Sequence, residues 1–385
     1  MIWKSSTTFF LLALMLAFTG CVPAADTDRP GASGATAGEY HLYVANESTD
    51  LVSHVVFRPG AGLELVAEIE VGIIPVEVEG PHGVGTSPDG RFWYVTLAHG
   101  QPYGSLWKFD AATDTLIGRV TLGNFPATPE LASNGQFAFV ANFNLHGDPL
   151  PSSVSVVHTP TMQEVARPTT CVMPHGSRLN PAGTKHYSVC MHSEQLVEID
   201  ARTFQLSARM SVAPGREGAL ALDDTGVMEE HANHSHHDQL CSPTWATPGV
   251  GPRAGLVYVP CNRADEVLEV DTEKWLVTRR FETGRAPYNT AITPDGRYLL
   301  ATLKGEEAVA VIDLEEGRQV KRVPATRPIT HGVVVSADGR YAFVSNEAVG
   351  STPGTLDVID LSRLERVASA ALRYQPGGIG LIERQ

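Results

Sequence analysis

A turn word recurs along this chain, best seen in Ser87-Pro88-Asp89-Gly90, and its spacing constrains the fold more than any other feature. The turn glycines are Gly90, Gly135, Gly183, Gly226, Gly296 and Gly339, separated by 45, 48, 43, 70 and 43 residues. Each turn follows a short apolar strand and precedes a richer one such as Phe92-Trp93-Tyr94-Val95-Thr96, while a third strand often ends in Asp and a fourth returns the chain. A unit of four strands repeated about every 40 to 50 residues can bury its faces only against its neighbours, which is the signature of a β-propeller. The strand after the turn occurs in seven copies: Tyr43-Val44-Ala45-Asn46, Tyr94-Val95-Thr96, Phe139-Val140-Ala141-Asn142, Tyr187-Ser188-Val189, Tyr258-Val259-Pro260, Leu300-Ala301-Thr302 and Phe343-Val344-Ser345-Asn346. An all-β, seven-bladed propeller of four-stranded blades is therefore expected. The first copy lacks a preceding inner strand, and the last stretch, Pro376-Gly377-Gly378-Ile379-Gly380-Leu381-Ile382, is an inner strand without a blade. The C-terminal strand is predicted to complete the N-terminal blade and so remove the exposed edges of an open sheet. Blades 1 to 6 are numbered from their turn glycines, with the closure blade as blade 7.

Composition agrees with this reading. In 385 residues, 36 Gly and 26 Pro supply many turns, and a hydrophobic share of 43% suits a globular core. The balance of 29 Lys+Arg against 43 Asp+Glu, a net charge of −14, argues against nucleic acid as a partner, because phosphate binding needs a basic surface.

The first residues carry a targeting instruction. Lys4 precedes an apolar run from Phe9 to Phe18 that is too short to span a bilayer and fits a signal peptide over residues 1–20. Phe18-Thr19-Gly20-Cys21 resembles the lipobox of bacterial lipoproteins, which implies cleavage before Cys21, its acylation, and attachment to a membrane through that lipid. Residues 21–38, rich in Ala, Gly and Pro, then read as a flexible tether, and residues 39–385 as the propeller. The expected location is the cell envelope, facing the periplasm or the exterior. In an oxidising compartment Cys171, Cys190, Cys241 and Cys261 can form disulfides in three connectivities. Cys171 and Cys190 flank the ends of adjacent strands in blade 3, while Cys241 and Cys261 bracket an insertion, so these two pairs are predicted.

The words Tyr43-Val44-Ala45-Asn46 and Ser87-Pro88-Asp89-Gly90 resemble those of YVTN-type seven-bladed propellers, over residues 40–385. The resemblance implies the fold and leaves the function open, since that family includes surface-layer proteins, lactonase-like enzymes and the cofactor-bearing propellers of denitrification.

Histidines recur in register with the repeat. Eight residues before the turn glycines stand His82, Ala127, His175, Gly218, Tyr288 and His331, where the innermost strand of each blade begins at one mouth of the central channel. Each histidine there is followed by Gly, and the histidines fall in blades 1, 3 and 6. Nine residues after the turn, at the same mouth, stand His99 and His192, with Glu347 one place earlier in blade 6 and His146 two places later in blade 2. His82, His99, His175, His192 and His331 are thus the candidate metal ligands. With Cys190, Met191, Cys171 and Met173 beside them, imidazole and sulfur suit copper first, with zinc or haem as alternatives.

Pro81-His82-Gly83-Val84 followed by Ser87-Pro88-Asp89-Gly90 is similar to the propeller of nitrous oxide reductase, which implies axial histidines around a copper-sulfide cluster. The chain departs from that enzyme: no cupredoxin-type domain is read after Gln385, and the adjacent histidine pair is His236-His237, elsewhere in the chain. The haem-bearing propeller of dissimilatory haem nitrite reductase, and the lipoprotein-like propellers that help make its haem, offer a second resemblance. It implies that His82, His175 and His331 act as iron ligands or acid/base groups. A lactonase-like hydrolase is a third reading, through Glu217, Glu347, Arg178 and Arg216, although no spaced signature ties these residues together.

The long interval holds an insertion at 227–254 with His231, His234, His236, His237 and Cys241, four histidines and a cysteine within eleven residues. This composition fits a secondary metal-capture loop, expected on the face opposite the histidine mouth. Taken together, the sequence describes a lipid-anchored envelope propeller that binds a transition metal, copper first, or another small molecule, in metal handling or as a scaffold for an envelope protein partner. A redox enzyme, a haem-binding propeller related to denitrification proteins, and a lactonase-like hydrolase are the alternatives. The choice between enzyme and binder stays open, and no catalytic residue is assigned.

If Cys21 carries the lipid, Cys21→Ser should move the protein from the membrane fraction to the soluble fraction with its thermal unfolding unchanged. A wild-type protein found entirely soluble and unlipidated would contradict the anchor.

Overall fold

The computed structural model describes residues 38–99, 103–226 and 239–384. Cys21 and the histidines His231, His234, His236 and His237 lie outside the described residues. The chain forms seven antiparallel sheets of four strands, two of which carry a fifth, with no α-helix among the described residues. Blade 1 runs through Pro81–Thr86, Phe92–Leu97, Ser105–Asp110 and Thr115–Thr121 from the axis outwards, and the other blades repeat this order.

Local chemistry makes each blade. In the turn between the first two strands, Ser87 Oγ donates to Asp89 Oδ1 at 2.6 Å and accepts from the Phe92 amide at 2.9 Å, and Gly90 adopts φ 66°. Thr293, Asp295 and Gly296 repeat the device in blade 5, as do Ser336, Asp338 and Gly339 in blade 6. Only glycine takes that backbone angle without strain. The Asp that ends the third strand turns the chain again: the Oδ1 atoms of Asp110, Asp200, Asp271, Asp313 and Asp360 each accept two backbone amides.

Closure follows the expectation. Pro376–Arg384 pairs antiparallel with Glu39–Asn46, from Glu39↔Arg384 to Asn46↔Pro376, so blade 7 takes its inner strand from one end of the chain and its other three strands from the other. Its faces are then filled by neighbours: Tyr43 packs with Trp93, Trp107 and Phe109 of blade 1, and Tyr40, Leu42 and Phe57 pack with Tyr341 and Phe343 of blade 6.

The long interval is placed differently from the sequence expectation. Gly218–Ala219 does not open blade 4; it pairs with the outer strand of blade 3 through Met210↔Ala219 and Ser211↔Gly218. The inner strand of blade 4 is Thr247–Pro248, preceded by a bridge from Pro243 to Cys261, and its turn is the Val250–Gly255 segment. The insertion therefore comes before an inner strand, not after one, and inner strands begin on the mouth side. Its described ends confirm the side: a Cβ on Gly226 would meet Ser193 at 2.3 Å, and Gln239 Nε2 lies 3.1 Å from His192 Nδ1.

One inter-blade contact carries a testable cost. His186 of blade 3 stacks on Phe139 of blade 2 at 4.8 Å, fully buried, and neither of its ring nitrogens has a hydrogen-bond partner. Burial pushes its pKa down to about 3. The unfolded chain binds this proton below pH 6.5 and the fold does not, so stability is lost as pH falls from about 6.5 towards 3. His186→Phe should keep the stacking, raise stability in urea at pH 7 by about 1–3 kcal/mol, and reduce the acid sensitivity in that window. Equal acid sensitivity in the two proteins would show that His186 does not contribute to it.

Candidate functional site

Each inner strand begins with a bulge. Register shifts separate Pro81 from Val84, Pro126 from Pro129, Pro174 from Ser177, Pro287 from Thr290 and Thr330 from Val333. A bulge re-aims the side chains inside it. The residue after the first of each pair turns towards the axis: His82, Ala127, His175, Tyr288 and His331. In blade 4 the equivalent residue is Thr244, after Pro243, and in blade 7 it is Gly377, after Pro376. Gly218 does not belong to this ring.

The glycine after each histidine is a steric requirement. A Cβ on Gly83 would stand 2.0 Å from Ala127 O, on Gly176 2.3 Å from Thr244 O, and on Gly332 2.6 Å from Gly377 O. Hydroxyls from the second strands bolt the same places together. Thr96 Oγ1 accepts from the Gly83 amide and donates to Ala127 O, and Ser345 Oγ does the same for Gly332 and Gly377.

The three histidines converge. The His82 ring centroid lies 5.9 Å from that of His175 and 6.3 Å from that of His331, and Tyr288 completes the circle 4.7 Å from His331. All four side chains are buried. His175 Nδ1 donates to Thr244 O at 2.9 Å, which fixes its tautomer, and Nε2 accepts from Tyr288 Oη at 3.1 Å. Burial, with His82 adding to it, brings the His175 pKa down to about 3. Burial and the nearby Lys304 hold His331 well below the usual imidazole range, while burial raises Tyr288 well above the phenol range.

Two carboxylates flank the ring. Glu47 Oε1 stands 3.0 Å from both His82 Nδ1 and His99 Nε2; the contact to His82 is poorly aligned and leaves Nδ1 without a true hydrogen bond. His99 Nδ1 lies 3.4 Å from Nε2 of the exposed His146, so a chain of close contacts runs from solvent through His99 and Glu47 to His82. Glu347 Oε1 is 3.3 Å from Lys304 Nζ and 3.5 Å from His331 Nε2. Burial opposes ionisation of Glu47, but His82 and His99 outweigh it and hold the carboxyl well below its usual range. Burial raises Glu347 despite Lys304, with Glu47 adding repulsion.

The expected copper ligand set is not assembled in this form. His82, His175 and His331 share the channel and His99 sits beside it, whereas His192 meets Gln239 in the blade 3 loop. Among the described residues, no group of three or more His, Cys, Asp or Glu side chains is arranged to hold a metal ion. The sulfur that favoured copper is committed elsewhere: Cys171 is joined to Cys190 and Cys241 to Cys261, while Met173 and Met191 pack with Phe125 and Phe143. Cys241 is thus tied to blade 4. The lactonase-type set is dispersed as well, since Glu217 pairs with Arg280 on an outer strand and Arg178 lies inside the channel.

Glu47, Tyr288 and Lys304 were not read as site residues. Glu47 had a visible signal, because Val44-Ala45-Asn46-Glu47 and Val344-Ser345-Asn346-Glu347 carry the same Asn-Glu step at the same register.

Fold and site together define a seven-bladed β-propeller with a histidine-ringed channel. No family model matches the chain. A curated protein, NirF of Stutzerimonas stutzeri, is 38% identical over 80 residues, covering 18% of this chain and 20% of that protein. The match thus spans about a fifth of that relative's length. Among solved structures, the dihydro-heme d1 dehydrogenase NirN in complex with DHE is similar at a TM-score of 0.55 and 17% identity, over 92% of this chain and 77% of that one. Kuenenia stuttgartiensis hydrazine synthase gives 0.58 and 17% over 82% and 99%. A functionally unknown protein from Desulfotomaculum acetoxidans gives 0.66 and 13% over 90% and 99%. At these identities the structural likeness is one of fold.

The Glu47 geometry sets a pH dependence. Its folded pKa lies below its unfolded value, so its contribution is present above about pH 4.5 and is lost as pH falls through the folded value. Glu47→Gln should cost about 1–3 kcal/mol at pH 7, measured by calorimetry, and the cost should shrink steadily below pH 4.5. A cost that does not vary with pH would mean that Glu47 acts through packing alone.

Proposed function

We propose that the protein binds a tetrapyrrole of the haem class at the histidine mouth of its propeller, and that it does so in the cell envelope, anchored through Cys21. The observation that carries this reading is His175. Its Nδ1 is held by a backbone carbonyl, its tautomer is fixed, and burial keeps it neutral, the state an imidazole needs to ligate iron. Tyr288 occupies its Nε2 in the present arrangement, and that hydroxyl has to yield for ligation. His331 is the second candidate, buried and neutral with Nδ1 unpartnered. Around the mouth, Ile73, Val76, Tyr103 and Val349 stand exposed on the connecting loops and offer apolar surface to a flat macrocycle.

When bound, such a group would supply one-electron chemistry. The chain supplies proton control. Glu47 keeps His82 and His99 in contact with a charge, and His146 connects them to solvent. Glu347, whose carboxyl is raised, can hold a proton beside His331. The local identity to NirF and the fold likeness to NirN support a haem d1-related propeller over copper handling.

Titration of the purified protein with haemin should give a saturable, shifted Soret band. His175→Ala should weaken binding tenfold or more or change the band, while His158→Ala, on the outer part of blade 2, should match wild type. Identical spectra and affinities for His175→Ala and wild type, or stoichiometric copper with no haemin binding, would overturn the reading.

A further inference from the structure

Beneath the imidazole ring the channel opens into a chamber of about 380 Å³ that reaches Ala337 and Glu383, both exposed at the end away from the ring. At about 30 Å³ each, it has room for roughly a dozen waters. Two charged side chains stand in its wall between these ends, Glu130 from the inner strand of blade 2 and Arg178 from that of blade 3.

Arg178 is anchored only by neutral groups. Its Nη1 donates to Thr247 Oγ1 and Thr290 O, each at 2.5 Å, and its Nη2 donates to Asn289 Oδ1 at 3.1 Å; the Trp245 ring lies 5.6 Å away. These bonds tie it to blades 4 and 5. Among the described residues, no carboxylate forms an ion pair with it. The bonds use both Nη1 donors and one on Nη2, so Nε–H and the second Nη2–H remain, the side-on pair that matches two oxygens of one anion. A half-buried guanidinium that Glu130 faces without forming an ion pair has its charge only partly balanced, and an entering anion relieves this.

We infer that this chamber is a binding site for a small monocarboxylate, gripped side-on by Arg178, next to Glu130, and entering from the end opposite the histidine mouth. Glu130 gives the site its pH dependence. Burial pushes its carboxyl up to about 7, with Arg178 opposing. Arg178 is the charged group that faces it, and His82, His331 and Glu383 are the other titratable groups on the chamber wall. An ionised Glu130 would repel a bound carboxylate, so the anion binds together with a proton, and its affinity falls as pH rises above about 7.

The test uses the full-length protein without added haemin and compares sodium formate with sodium chloride at equal ionic strength. Formate should raise the melting temperature more than chloride at pH 6, and its apparent affinity should be about tenfold weaker at pH 8, as expected for one required proton. Arg178→Met should abolish the formate-specific rise, and Glu130→Gln should keep it at pH 8. Formate acting like chloride at pH 6 would overturn the proposal, as would a formate-specific rise that Arg178→Met keeps. If Arg178→Met fails to fold, Glu130→Gln decides: unchanged pH dependence in that variant also overturns it. Haemin titration of Glu130→Gln should match wild type, so this site and the tetrapyrrole mouth succeed or fail separately.

Discussion

The close approach of neighbouring inner strands at the axis is the constraint from which the rest follows. A backbone carbonyl of one blade sits where the Cβ of the next blade's residue would be, so Gly83, Gly176 and Gly332 are obligatory, and Thr96 and Ser345 bridge the same gap with hydroxyls. Blades held this tightly leave no freedom in how the preceding residue projects. The bulge directs it inwards, and His82, His175 and His331, from three distant parts of the chain, arrive at one place.

That place is electrostatically divided. Glu47 and Glu347 occupy equivalent positions in blades 7 and 6, yet their surroundings push them apart, one held ionised by imidazoles and the other raised by burial and by its twin's charge. Two carboxyls tuned in opposite directions beside one channel give a fixed charge and a proton carrier, the division of labour that acid–base chemistry needs. The histidines divide in the same way: Thr244 O fixes the tautomer of His175 and burial keeps that ring neutral, while His82 leans on Glu47. The neutral, carbonyl-bound ring suits ligation and the carboxylate-linked ring suits proton transfer.

The insertion shows how a repeat absorbs an irregularity. An extra edge strand, Gly218–Ala219, lets the chain continue past blade 3 before it turns in to start blade 4. The Cys241–Cys261 disulfide, with Cα atoms 4.4 Å apart, then ties the returning segment to the second strand of blade 4. The described end of the detour therefore lies on the mouth side, where Gln239 meets His192.

The period, the seven copies of the second strand, the closing role of Pro376–Arg384 and the register that puts His82, His175 and His331 at equivalent positions were all legible in the sequence. Each rests on local chemistry, a turn glycine at positive φ or an alternating strand, that repeats wherever the same word repeats. Blade 4 broke that logic, because Gly226 mimics a turn glycine while the strand that pairs with the Tyr258 word, through Thr247↔Tyr258, carries no repeat word of its own. The repeated Asn-Glu step marks Glu47 in the sequence, but its role, like that of Lys304, exists only once the ring is closed and side chains from blades 7, 1, 5 and 6 meet. Tertiary structure alone decided which nitrogens are engaged, which carboxyl is shifted down and which up, and that Arg178 is anchored by neutral groups. Those outcomes depend on burial and on angstrom-scale distances between blades, and a repeat pattern records neither.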